Sequence, residues 1–220
     1  MKIYYHHCEE EKNIRSHPWD CAESNTKHKY YDFKSHPDLI SNALEDFCPW
    51  ANKNAIVDFY EFLRWLNGTN SHFETNDSAF RGPRTNTDSN FIKSLQCNGR
   101  LMILYRDIIL NVSKEHVRWL NDAIQFYLRH IDQEFRWGVI GTTIVPVRYI
   151  NLPVDEQIGK QIMLSFWAWG DDEIETFQNL KRTFLNLRNA LQDVSKEIAK
   201  SISENKNISK RVSLVSPIFP

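Results

Sequence analysis

Phe177, Leu180, Phe184, Leu187, Leu191, Val194 and Ile198 follow one another at alternating intervals of three and four residues, a spacing that places all of them on one stripe of an α-helix. A strand cannot use that pattern, because its side chains change face at every residue. Asp171 or Asp172 can cap the start and oppose the N-terminal dipole, so the spacing predicts one amphipathic helix from Asp172 to Ser203. At 1.5 Å per residue it spans roughly 48 Å. A globule of 220 residues is about 44 Å across, so the helix can cross the whole domain as its spine. The seam is then expected to pack on the chain's own sheet and helices, with pairing to a second copy or a partner as the alternative.

Ahead of this helix the pattern mixes both periods. Lys2 to His6 reads as a short strand, and Ser35 and Pro37 open a helix that carries Leu39, Ile40, Ala43, Leu44 and Phe47 and stops before Pro49. A second helix begins near Asn52, buries Ile56, Phe59, Phe62, Leu63 and Leu66, and ends at Asn67-Gly68. Ser71 to Phe80 alternates as a strand, and Gly82-Pro83 with the polar run to Asn90 reads as a loop. Leu95 to Leu110 looks like two strand pieces around Asn98-Gly99, either a hairpin or one bulged strand. Ser113 caps a helix with Val117, Leu120, Ile124, Tyr127, Leu128 and Ile131 on one stripe. Trp137 to Ile150 and Lys160 to Trp169 then pair as an antiparallel hairpin, whose first strand is bulged at Pro146 or lies at a sheet edge.

The simplest packing is a single α+β domain over residues 1–220: a mostly antiparallel sheet of about four to six strands, with helices mainly on one face and the long helix last. An irregular segment rich in His and Cys occupies about residues 6–34, and an apolar tail follows the long helix at about 204–220.

Lys plus Arg (27) and Asp plus Glu (28) nearly cancel, for a formal net charge of -1. Binding to duplex nucleic acid draws on surplus cations, so nucleic acid is not the expected partner. No apolar stretch suits a secretory signal or a membrane span. The four cysteines are widely spaced with no CxxC pair, as reduced thiols of a cytoplasmic protein would be.

Four constellations could carry chemistry. Cys8, His17, Cys21 and His28 contain the ligand types of a Cys2His2 zinc site, but structural zinc takes its ligands in tight pairs and only His17 and Cys21 are close. An extended 72–76 segment puts His72, Glu74 and Asn76 on one face, and with Asp77 nearby this offers an acid–base set. Arg81 and Arg84 flank Gly82-Pro83, which would hold two planar guanidinium forks close together for an acidic ligand or protein surface, unless Asp77 or Asp107 neutralises them. Trp167 and Trp169 share a strand face, as core or as an interface anchor. Gly138 to Thr143 lacks the spacing of a phosphate-binding loop.

With no compact catalytic signature and no cofactor expected, the leading expectation is a non-enzymatic protein-binding module. It would occupy a partner surface, as an immunity protein or an inhibitor of a defence nuclease or toxin does, with Arg81, Arg84, Trp167 and Trp169 as contact residues and a homodimer possible. The alternative is a hydrolase or nucleic-acid-processing enzyme that uses His72, Glu74 and Asp77, with the arginines holding an anionic substrate.

Overall fold

The computed structural model describes residues 2–7, 14–18, 36 and 54–203. The helix expected after Ser35, most of the His/Cys-rich segment and the tail after Ser203 lie outside the described residues.

The elements run β1 (Lys2–His7), β2 (Arg15–His17), α1 (Asn54–Asn67), β3 (Phe73–Thr85), β4 (Leu95–Tyr105), α2 (Ile108–Val112), α3 (Lys114–His130), β5 (Gly138–Tyr149), β6 (Ile158–Gly170) and α4 (Glu173–Ser203). The strands form one sheet in the order β1-β5-β6-β4-β3, with β2 also on β5. Consecutive strands account for the antiparallel pairs β3/β4 and β5/β6, and β4 and β6, which are not consecutive, join the two pairs antiparallel. The sheet is nevertheless mixed, because β1 and β2 add to β5 in parallel. Strands recruited from the far N-terminus have no short turn to dictate their direction.

Pro146 sits inside β5 without breaking it. On one side β5 pairs with β6 throughout, and on the other β1 covers Val139 to Ile144 while β2 covers Val147 to Tyr149. The residue without an amide donor thus falls in the gap between two partner strands, where none is needed.

α1, α3 and α4 pack on one face of the sheet. Their stripes meet Leu101, Ile103, Ile140, Ile162, Leu164 and Phe166 in one large core. The seam of α4 is wholly consumed there: Phe177, Leu180, Phe184, Leu187, Leu191, Val194 and Ile198 are all buried. The carboxylate of Asp172 accepts from the Glu175 amide at 2.8 Å and caps this helix; Ser113 does the same for α3 from His116. Cys97 is buried in the same core, and desolvation pushes its thiol up to about 12.

Three local expectations are corrected. β3 does not stop at Phe80 but continues through Gly82 and Pro83 to Thr85, with a register shift between Arg81 and Arg84. Asn98-Gly99 makes no turn and no bulge, since β4 pairs with β6 without interruption from Leu95 to Ile103. Gly99 is there for clearance: a Cβ would lie 2.4 Å from the carbonyl oxygen of Ala79 and 2.4 Å from the Phe166 ring. Finally, Ile108–Val112 is a short helix capped by Asp107, not strand.

That helix positions Asn111 to act as an extra strand partner. Its buried side-chain amide donates to the Tyr105 carbonyl at 2.8 Å and its oxygen accepts from the Tyr105 amide at 2.8 Å. Asn111→Leu is expected to strand both backbone groups and cost about 2–3 kcal/mol, read as a lowered denaturant midpoint at unchanged m-value.

Candidate functional site

Among the described residues, the face of the sheet away from the helices brings together Arg81, Arg84, Trp167, His17 and Glu74. By register, Arg81 lies opposite Asn98, which lies opposite Trp167, and Arg84 lies opposite Gln96, which lies opposite Trp169. Residues three apart on a regular strand point to opposite faces. The bulge at Gly82-Pro83 adds one residue to β3 and returns Arg84 to the same face as Arg81. Both arginines are exposed. Asp107 does not neutralise them, because its carboxylate caps α2, and the side chain of Asp77 lies outside the described residues.

One end of this face is closed by the loop between β3 and β4. The Asn86 side-chain amide donates to the carbonyls of Asp88, Phe91 and Lys93, and its oxygen accepts from the Trp169 indole at 3.2 Å. Phe91 is thereby stacked on Trp169, with ring centres 3.7 Å apart. Lys93 reaches Asp171 at 2.8 Å and Glu175 at 2.7 Å and lies over the Trp137 ring. Trp169 is therefore core, 2% exposed, while Trp167 is half-buried at the edge of the same aromatic cluster. The shared face was legible from alternation. The lid over Trp169 was not, because nothing in the loop's composition says which side chain it covers.

At the opposite end sits a buried polar cluster that sequence reasoning assembled only in part. His17 Nε2 lies 2.9 Å from Glu74 Oε1, and both side chains are almost fully buried. His17 Nδ1 meets Asn76 Oδ1 at 3.2 Å, and the Asn76 amide donates to the Ser16 carbonyl at 3.2 Å and to Gln161 Oε1 at 3.3 Å. The Tyr149 ring stands edge-on to His17 at 5.6 Å. Burial, reinforced by the Glu74 carboxylate, pushes the Tyr149 phenol up.

The position of this cluster is informative. β2 and β3 occupy opposite edges of the sheet, separated by β5, β6 and β4, and four steps of about 4.8 Å would hold them roughly 19 Å apart in a flat sheet. Contact between His17 and Glu74 requires the sheet to curl until its two edges face each other at this end. The face away from the helices is thus concave, with the polar cluster at one end, the aromatic cluster at the other and half-buried Asn98, Arg100, Thr143 and Ser165 between them.

Of the acid–base set, Glu74 and Asn76 do share a face, but Glu74 is turned onto His17. His72 is half-buried beside Arg106, and burial first and that guanidinium second lower its pKa. Arg106 itself holds the α1–β3 turn, donating to the carbonyls of Gly68 at 2.8 Å and Phe73 at 3.2 Å. Of the zinc candidates, Cys8, Cys21 and His28 lie outside the described residues and His17 is committed to Glu74 and Asn76. Among the described residues no group of three or more His, Cys, Asp or Glu is placed to hold a metal ion, and no helix is long and apolar enough to cross a membrane.

No family model, curated protein or solved structure matches the chain.

Proposed function

We propose that the chain is a non-enzymatic protein-binding module that occupies an acidic patch on its partner, in the manner of an immunity protein or an inhibitor of a defence nuclease or toxin. The observation that carries the reading is the bulge that brings Arg81 and Arg84 to the same face of an exposed strand, in register with half-buried Trp167. Arginine and tryptophan are the side chains that most often carry interface energy, and planar guanidinium groups match carboxylates in pairs. The acid–base alternative has less to stand on, because the Glu74 carboxylate is covered and engaged by His17.

The test is affinity capture from host lysate with the wild type, with the double variant Arg81→Glu/Arg84→Glu, and with Lys196→Glu as a control on exposed α4. The double reversal is expected to lose about tenfold or more of captured partner, a difference of about 1.4 kcal/mol, with unchanged circular dichroism, and capture by the wild type is expected to weaken as salt is raised. Equal capture by all three proteins, or a monomer that captures no protein, overturns the reading. Salt-sensitive retention on RNA or DNA instead would move the partner to nucleic acid.

A further inference from the structure

Resting on the protein-binding reading above, we infer that Ile92, in the loop between β3 and β4, is the apolar anchor of the docking surface, received by the partner in an apolar socket beside its acidic patch. Ile92 is 89% exposed. Single exposed aliphatic residues are ordinary on a protein surface, so exposure alone decides nothing. What singles this residue out is how firmly the chain holds it in water.

The β3–β4 ladder ends at the pair Thr85 and Leu95, and the Asn86 amide then donates to the Ser94 carbonyl at 2.9 Å, closing the loop at its base. Inside the loop the Asn86 side chain donates to the carbonyls on both sides of Ile92, Phe91 at 2.9 Å and Lys93 at 2.8 Å. The Asp88 carboxylate accepts from the Asn90 amide at 2.9 Å and fixes the approach to this stretch. The neighbouring side chains are tied as well: the Phe91 ring lies on Trp169, and the Lys93 ammonium reaches Asp171 and Glu175. Ile92 therefore stands between two fixed residues. None of these bonds uses its side chain, so a polar residue at this position would leave the same loop closed.

An anchor binds tightly when the free protein already holds it in the bound geometry, because little freedom is then lost on docking. Val154 is the contrast. It is 85% exposed, but it begins the turn between β5 and β6, where Pro153 supplies no side-chain cap. That turn precedes Ile158 at the start of β6, whereas the Ile92 loop follows from Leu95, which pairs with Gly170 at the other end of the strand.

The surroundings define what the partner must present. Trp137 and Trp167 pack against the cluster of Phe91 and Trp169, so the loop sits on an aromatic base. The Lys93 charge is matched by its two carboxylates. Positive charge on this surface comes from Arg81 and Arg84, the second of which lies two residues before Asn86. On the Lys93 side, Asp171 and Asp172 are exposed ahead of α4 and would repel an acidic partner. The partner's carboxylates thus face the arginines, and its apolar socket takes Ile92.

The test uses the protein recovered on the wild type, identified and purified, and measures its affinity for each variant at low and at high salt. Ile92→Ala is expected to lose about tenfold or more in affinity, because the buried aliphatic surface is lost. Circular dichroism and the thermal melt should not change, since the deleted atoms face water. The loss should be equal at both salt concentrations, whereas the loss in Arg81→Glu/Arg84→Glu should shrink as salt screens the charges. Ile92→Val should keep most of the affinity, and Val154→Ala should bind as the wild type does. Wild-type affinity in Ile92→Ala, or an equal loss in Val154→Ala, overturns the anchor. A loss in the arginine double variant without one in Ile92→Ala keeps the acidic-patch reading and overturns the anchor, and the reverse keeps the anchor and overturns the acidic patch. A wild type that recovers no protein overturns both.

Discussion

Leu187→Asp is expected to leave no folded protein, whereas Leu185→Asp, two residues earlier on α4, is expected to stay within about 0.5 kcal/mol of the wild type. The two leucines differ only in the face they occupy: Leu187 is 1% exposed and Leu185 is 54% exposed. Removing a buried leucine costs about 2–5 kcal/mol through lost transfer energy and the cavity left behind. The aspartate adds the cost of an unpaired carboxyl in an apolar site, several kcal/mol more whether it stays ionised or takes up a proton. Together these approach the whole stability of an ordinary domain, about 5–15 kcal/mol. Far-UV circular dichroism and a thermal melt of both variants settle the matter. Similar behaviour of the two would mean that α4 does not present the Leu187 stripe to the sheet.

That contrast also shows why the fold was readable from the sequence. A stripe at three- and four-residue intervals is local information, and so are the caps at Asp172 and Ser113 and the alternation in β5 and β6; each survived contact with the structure. What the sequence hid was long-range. Nothing near Lys2 or Arg15 announces that β1 and β2 add in parallel to a strand more than a hundred residues away. Asn98-Gly99 reads as a turn because Gly is a turn former, yet its glycine is required by a ring on β6. At the concave face, Arg81, Arg84 and Trp167 were legible as residue types, but only the bulge brings the two arginines to one face. The His17–Glu74 contact joins residues from the two edges of the sheet. No short-range pattern encodes it, because it exists only once the sheet has curled.

The second large effect lies where the helices meet the centre of the sheet. Phe166 stands 4.9 Å from Phe184 in an edge-on contact and 5.6 Å from Phe59, which is itself stacked on Phe184 at 4.9 Å. One ring therefore ties β6 to both α1 and α4, and Phe166→Ala is expected to cost about 3–5 kcal/mol, part of it from two aromatic contacts worth about 0.5–1.5 kcal/mol each. The same ring covers Gly99, so Gly99→Ala is expected to cost about 1–3 kcal/mol by overpacking. Combining the two separates the obstacles. With the ring gone the new methyl loses one clash, and the double variant should be less damaged than the sum of the singles by about 0.5–2 kcal/mol. It should not fall to the cost of Phe166→Ala alone, because the Ala79 carbonyl oxygen, also 2.4 Å from the new Cβ, is main chain held in the β3–β4 ladder. Urea unfolding of the three variants measures this directly. Strict additivity would show that the Phe166 ring does not rest on Gly99, and full relief would show that the β3 backbone yields where the ladder says it cannot.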